Sequence, residues 1–144
     1  MTNDVADKPR PKQVIIMRTK FPIPGDARLR GVRKGKLVAQ GAHASLGALL
    51  DRGEWTENGD YLLKLTPAMK DWMDGRFAKI AVKVESEQEL LELHAAAVAA
   101  NLPSALIRDS GRTEFHGKPT YTAVAIGPAY PDEIDPITGH LTPM

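Results

Sequence analysis

The stretch QVIIM at residues 13–17 best indicates the architecture of this 144-residue chain. It is a short, continuous apolar run rich in β-branched side chains. Such a run predicts a strand buried on both faces, because each face of the strand then presents apolar side chains. A strand of this kind lies inside a sheet that is covered by helices.

Residues 18–31 contain two prolines and two glycines, which predict a loop after this strand. Residues 34–50, KGKLVAQGAHASLGALL, then predict a helix, because apolar positions recur at helical spacing and polar positions fall on another face. The apolar positions are Val38, Ala42, Leu46 and Leu49, and the polar positions are Lys36, Gln40 and His43. Small residues between them permit close packing against a sheet or a partner.

The remaining elements follow from caps and alternation. Residues 51–65 look irregular, and a short helix is predicted after the N-cap Thr66, with Gly75 as its stop. A longer helix follows Ser86, which forms a capping box with Glu89. Strands are predicted at residues 76–84, 104–107 and 120–127. The order indicates a single α/β domain with a mixed sheet at residues 12–144, after a flexible tail at residues 1–11.

Composition excludes several classes of function. There is no cysteine, which excludes disulfides, zinc–thiolate sites and cysteine nucleophiles, and favours a reducing cytosol. We find no apolar run that approaches a membrane span of about 18 residues, and no signal peptide core. The histidines have no metal-like spacing, and the phosphate-binding glycine motifs and the GxSxG elbow are missing. We therefore expect no metal, no cofactor and no membrane association.

Basic residues cluster between positions 28 and 36, where RLRGVRKGK holds five of them and no acid. One-sided charge of this kind attracts a polyanion such as RNA, although a solvated basic loop explains the same pattern. The net charge of +1 does not decide between the two. The candidate RNA-binding residues are Arg28, Arg30, Arg33, Lys34 and, further along the chain, Arg112.

Two positions combine a polar group with rigid support. Asp109 follows a predicted strand, where ligands of α/β sheets bind, and Lys36 lies in the first turn of a helix, where an anion or oxyanion is favoured. The alternatives are a turn carboxylate for Asp109 and a solvent-facing lysine for Lys36. His43 shares the face of Lys36, since seven residues make about two helical turns. It is a candidate base, or a histidine bonded to the sheet.

Five ordered blocks, taken together, resemble the archaeal and eukaryotic type of peptidyl-tRNA hydrolase. The blocks are KQVIIMRT at 12–19, RKGKLVAQGAHASL at 33–46, DSGRTEF at 109–115, TYTAVAIGP at 120–128 and IDPITGHL at 134–141. The loop at residues 20–33 and the segment at residues 53–75 are longer than is usual in that family. We therefore expect a divergent, bacterial-like member.

This resemblance implies a four-stranded mixed sheet flanked by helices on both faces, often in a homodimer, that hydrolyses the ester of peptidyl-tRNA. It implies catalytic roles for Lys36, Asp109, Thr113 and Thr122, with His43 as a neighbouring candidate. Water would attack the ester, with Asp109 or His43 as the base and Lys36 and a threonine stabilising charge. The alternatives are a non-catalytic RNA-binding module that uses the basic segment, and a protein-interaction domain without RNA affinity.

Overall fold

A computed structural model describes residues 9–112 and 115–144. Residues 1–8 of the predicted tail lie outside the described residues. The elements, in chain order, are β1 (Lys12–Arg18), β2 (Phe21–Ile23), β3 (Asp26–Arg30), α1 (Lys34–Leu50), β4 (Gly53–Trp55), β5 (Tyr61–Leu63), α2 (Pro67–Asp74), β6 (Lys79–Val84), α3 (Glu87–Ala99), β7 (Ser104–Asp109), β8 (Thr120–Ala129), α4 (Pro131–Thr138) and β9 (Thr142–Pro143). None of the helices in these ranges has the length and apolarity needed to span a membrane.

The central sheet is mixed and has the strand order β7-β8-β1-β6-β9. Strands β1 and β6 are parallel, and the other neighbours are antiparallel. The α/β class and the mixed sheet are confirmed, but the expected count of four strands is wrong, because β9 adds a fifth strand along β6. A strand of two residues cannot show an alternating pattern in the sequence, so only its pairing reveals it.

Helices cover both faces of the sheet with different kinds of side chain. Helices α3 and α4 enclose a cluster of large aliphatic residues, which includes Ile16, Leu90 and Ile134. Helix α1 covers the other face over a cluster dominated by alanine, which includes Ala44, Ala48 and Ala125. Because these side chains are small, the axis of α1 lies close to the strands beneath it.

The predicted face of α1 that carries large apolar residues is not the face that contacts the sheet. Val38 is 73 % exposed and Leu46 is 57 % exposed. The buried residues of the helix are instead Gln40, Gly41, Ala44 and Ala48. Helical spacing therefore predicted the helix correctly, but not its buried face, which carries small side chains and Gln40 while His43 of the predicted polar face is exposed.

Two segments predicted to lack regular structure form β-hairpins. The predicted loop at 18–31 contains strands β2 and β3, and the irregular segment at 51–65 contains β4 and β5. Their turns include Gly25 and Gly59, both with positive φ, which glycine adopts without strain. Strands of three to five residues are too short for a clear alternation, so the prediction of loops was wrong in both places.

Candidate active site

One edge of the central sheet gathers the ends of four elements. Strands β1 and β7 are both antiparallel to β8, so they end where β8 begins. Helix α1 also begins near this edge, since Lys36 in its first turn bonds to Asp109 at the end of β7. Ligands of α/β proteins commonly bind beyond strand ends of this kind.

Lys36 and Asp109 form an ion pair at this edge, across 73 residues of sequence. Lys36 Nζ lies 2.8 Å from Asp109 Oδ1, and the two side chains are only 14 % and 12 % exposed. The second carboxylate oxygen accepts a hydrogen bond of 2.9 Å from the Gly111 amide. The structure thus brings together the two residues that were predicted to share a site.

Gly111 is required where it lies. Its φ is +85°, and a Cβ there would come within 2.0 Å of the carbonyl oxygen of Lys118. Only glycine therefore allows the loop after β7 to turn back against residue 118 while its amide donates to Asp109. The turn and the carboxylate hydrogen bond are parts of one local structure.

Gln40 extends the ion pair into the protein interior. Its Nε2 lies 3.3 Å from Asp109 Oδ1, and its Oε1 accepts a hydrogen bond of 2.5 Å from the Thr122 hydroxyl. Gln40 is 4 % exposed and Thr122 is 2 % exposed, so both ends of the amide are satisfied within the core. The chain of contacts runs from Thr122 through Gln40 to Asp109.

A β-bulge brings Thr122 into this network. Ile107 pairs with Ala123 and Arg108 pairs with Tyr121, which leaves Thr122 as an extra residue in β8. In the sequence, Thr122 alternates with Val124, whose side chain packs under α3 on the opposite face. The bulge breaks this alternation and directs Thr122 toward α1, as bulges beside active sites commonly do.

Asp109 is held in its ionised form. Burial by itself would raise the pKa of Asp109, but hydrogen bonds from Lys36 and Gly111, with the charges of Lys36 and His43, outweigh burial and lower it. The carboxylate is therefore charged at neutral pH, when it can accept hydrogen bonds but is a weak base.

Two further residues were predicted to be catalytic, His43 and Thr113. His43 is exposed on α1, close enough for its charge to act on Asp109. Thr113 lies outside the described residues. The Phe115 ring, which was not predicted to belong to the site, lies 5.8 Å from Lys36 Nζ. Across residues 9–112 and 115–144, no three acidic, histidine or cysteine side chains are grouped as ligands for a metal ion.

The predicted RNA-binding residues lie on three elements rather than in one loop. Arg28 and Arg30 belong to β3, while Arg33 caps α1 and Lys34 begins it. Arg112 is exposed in the turn after β7. Arg28 is paired with Asp26, whose carboxylate it contacts at 2.7 Å. The hairpin and the start of the helix thus carry basic groups close in the chain to Lys36.

Sequence reasoning assigned no role to Gln40, although the signal was present. Gln40 follows Lys36 by four residues and therefore lies above it on the same helical face. A polar side chain beside a candidate active-site lysine was a reason to consider it. Its burial and its two partners come only from the packing of α1 on the sheet.

Comparison with known proteins identifies the family. A family model described as peptidyl-tRNA hydrolase PTH2 matches residues 11–144. The chain is 42 % identical over 130 residues to the peptidyl-tRNA hydrolase of Methanocaldococcus jannaschii, covering 90 % of this chain and 96 % of that protein. It is 42 % identical over 132 residues to that of Halobacterium salinarum, covering 91 % and 97 %.

A more distant relative extends the comparison to an animal. The chain is 37 % identical over 108 residues to the probable peptidyl-tRNA hydrolase 2 of Drosophila melanogaster, covering 75 % of this chain and 53 % of that protein. With archaeal relatives above 40 % identity, the expectation of a divergent, bacterial-like member is not borne out. The chain belongs to the peptidyl-tRNA hydrolase PTH2 family.

Proposed function

We propose that this chain hydrolyses the ester bond between the peptide and the tRNA of peptidyl-tRNA, with water as the nucleophile. The observation that carries the proposal is the partly buried ion pair of Lys36 and Asp109, at a sheet edge in a chain of this family. Because peptidyl-tRNA forms during translation, we place the activity in the cytosol, which the lack of cysteine also favours.

In the proposed mechanism, Asp109 orients the attacking water by accepting a hydrogen bond from it. A carboxylate with a lowered pKa is too weak a base to remove the proton early, so it takes the proton as the water oxygen bonds to the ester carbon. Negative charge then develops on the carbonyl oxygen. The Lys36 ammonium, 2.8 Å from Asp109, stabilises that charge, and the proton passes to the leaving ribose oxygen.

Gln40 and Thr122 act as positioning residues in this mechanism. The Thr122 hydroxyl already donates to Gln40, and Gln40 donates to Asp109, so the effect of Thr122 on the reaction passes through Gln40. A positive charge on His43, which is exposed on α1, favours the ionised form of Asp109. For Thr113 we keep the prediction that its hydroxyl positions the ester.

The basic residues around this edge contact the phosphates of the tRNA in this proposal. Arg28, Arg30, Arg33 and Lys34 lie on the hairpin and helix start that precede Lys36, and Arg112 follows Asp109 by three residues. The logarithm of the affinity falls linearly with the logarithm of the salt concentration, and removal of one such contact makes this fall less steep by about 0.7 to 0.9. Binding of tRNA to each single alanine variant, measured at several salt concentrations, tests the assignment.

Release of peptide from a purified peptidyl-tRNA tests the proposed reaction. Lys36→Ala and Asp109→Asn each lower the rate by about 10² to 10³, since each removes a charge that acts in the transition state. Lys70→Ala is the matched control, because Lys70 is an exposed lysine on α2, whose Asp71 contacts Arg10 just before the start of β1. Unchanged rates in both site variants would overturn the assignment. Salt-dependent binding of tRNA without turnover in the wild type would favour the RNA-binding module instead.

We further propose that the outer side of α1 pairs with the same side of a second copy. An apolar groove of about 760 Å³ lies along this side of the helix, next to strands β1 and β6, and its lining includes Val38, Ala42, Leu46, Ile15 and Ala81. Val38 is 73 % exposed and Leu46 is 57 % exposed, so the groove presents apolar side chains to solvent in the single chain. The small side chain of Ala42 between Val38 and Leu46 allows two copies of the helix to approach closely around a two-fold axis.

The mass in solution tests this pairing. Leu46→Glu places a charge in the interface and converts a dimer into a monomer, as measured by light scattering. Leu62→Glu is the control, because Leu62 is also an exposed leucine but belongs to β5 and does not line the groove. A wild-type mass equal to one chain at high concentration would overturn the homodimer.

A further inference from the structure

A second cavity, of about 300 Å³, lies beside the candidate active site. The β2–β3 hairpin forms one wall through Phe21, Pro22 and Ile23, and the loop before β8 forms the other through Lys118 and Pro119. We call this cavity the hairpin pocket. It differs from the groove on α1, with which it shares no lining residue.

The hairpin pocket borders the ion pair through one aromatic ring. Phe115 lines the pocket, and its ring also lies 5.8 Å from Lys36 Nζ. The same ring packs on Phe21 of the hairpin, with the ring centroids 4.7 Å apart. A substrate whose ester lies at Lys36 and Asp109 therefore has its neighbouring groups within reach of this pocket.

Arg18 provides a rigid cation in the pocket wall. Its Nε donates to the Lys20 carbonyl at 2.9 Å, and its Nη1 donates to the Tyr121 carbonyl at 3.2 Å. The guanidinium also lies 4.6 Å from the centre of the Phe21 ring, and the residue is only 8 % exposed. These contacts fix Arg18, so its position is set before any ligand binds.

The pocket combines apolar walls with an excess of positive charge. Pro22, Ile23 and Pro119 offer flat or apolar surfaces, and among the described lining residues Arg18 and Lys118 are opposed by one carboxylate, Glu87. Basic residues continue outward along β3 from the same hairpin. Apolar surfaces with cations beside them bind single-stranded nucleotides, since the base contacts the wall and the phosphate lies near the cations.

We propose that the hairpin pocket holds a nucleotide of the unpaired 3′ end of the tRNA, next to the ester. This inference rests on the proposed function, because it takes the esterified RNA to lie at Lys36 and Asp109. The excess of cations over Glu87 favours a nucleotide over an uncharged peptide side chain. The pocket thus makes the enzyme sensitive to the single-stranded end of its substrate.

Binding of an RNA that carries no esterified peptide tests the pocket without any turnover. The probes are a short acceptor-stem hairpin with its unpaired 3′ end and the same stem with a blunt end. We expect the wild type to bind the first at least about fivefold more tightly, as one stacked base provides. Ile23→Trp fills the pocket and abolishes this preference, while affinity for the blunt stem is unchanged. Leu62→Trp, on the other hairpin, is the control.

Lys118→Ala is a second variant that leaves the fold intact, because Lys118 is exposed. It should reduce the preference for the unpaired end, whereas Lys70→Ala should not. A preference that survives in both Ile23→Trp and Lys118→Ala would overturn the proposal. The proposal would also be overturned if these two variants changed the rate of peptide release by an amount that depends on the last amino acid of the peptide. The pocket would then bind the peptide.

These results are independent of the test of the reaction. A protein that keeps the preference for the unpaired end but releases no peptide contradicts the proposed function alone. A protein that releases peptide but shows no such preference contradicts the hairpin pocket alone.

Discussion

The two sides of helix α1 differ in a way that reverses the usual rule for amphipathic helices. The side against the sheet carries alanine, glycine and the buried Gln40, whereas the outer side exposes Val38 and Leu46. Size explains the choice, because small side chains let the helix approach the alanine-rich face of the sheet. Hydrophobicity alone would have chosen the other side. We propose that the inner side serves the candidate active site and that the outer side pairs with a second copy.

The buried amide of Gln40 is the clearest sign of this division. A buried polar group without partners costs about 1 to 3 kcal/mol, so an unsatisfied glutamine would destabilise the core. Gln40 instead bonds to Asp109 and to Thr122. Its burial therefore links the packing of the helix to the geometry of the Lys36–Asp109 ion pair.

The largest expected effect is the loss of stability when a glutamate is placed on the inner side of α1 rather than on its outer side. Ala48→Glu buries a carboxylate between α1 and the sheet and should lower the free energy of unfolding by about 4 kcal/mol or more. Ala42→Glu, on the exposed outer side, should change the free energy by no more than about 0.5 kcal/mol for the monomer. Urea denaturation of dilute protein measures both. Equal losses would mean that the outer side is also part of the core.

A smaller effect should appear in the rate when Gln40 is changed. Gln40→Leu keeps the apolar volume but removes both hydrogen bonds, so kcat should fall by about 10- to 100-fold with little change in KM. Thr122→Val should lower kcat in the same direction. The double variant should be no worse than Gln40→Leu, because Thr122 acts through Gln40. Losses that add would show that Thr122 contacts the substrate directly.

The smallest expected effect concerns pH. The folded-state pKa of Asp109 is lowered, so the stability it contributes is present above the ordinary value of about 3.9 and is lost as the pH falls through the folded value. Unfolding measured against pH should show an acid-induced loss in the wild type that is smaller in Asp109→Asn. Between about pH 5 and 8, Asp109 should contribute no inflection to the rate.

The same pH profile distinguishes the two candidate bases. An inflection near pH 6.5, where an unperturbed histidine titrates, that disappears in His43→Gln would assign the base to His43. A profile that is the same in His43→Gln and the wild type would leave Asp109 in the role proposed for it. The measurement needs only rates of peptide release at saturating substrate.

Sequence reasoning succeeded where local interactions decide the structure. The N-caps Thr66 and Ser86 accept hydrogen bonds from the amides of Met69 and Glu89, which confirms both caps and one of the two bonds of the predicted capping box. It failed for strands of two to five residues, since so few positions cannot show a period, and it did not predict helix α4, which has eight residues. It also placed Thr122 on a face shared with Val124, because no local pattern signals the bulge in β8.

By itself, the sequence determined the α/β class, the long elements, and Lys36 and Asp109 as candidates, because caps, periods and strand ends depend on neighbours in the chain. Only the tertiary structure decided which side of α1 is buried, that Gln40 and Thr122 join the pair, and that the β2–β3 hairpin encloses a second pocket. These features depend on contacts between residues far apart in sequence, such as Gln40 and Thr122, which are separated by 82 positions. Packing and pairing across such distances leave no periodic trace in the chain.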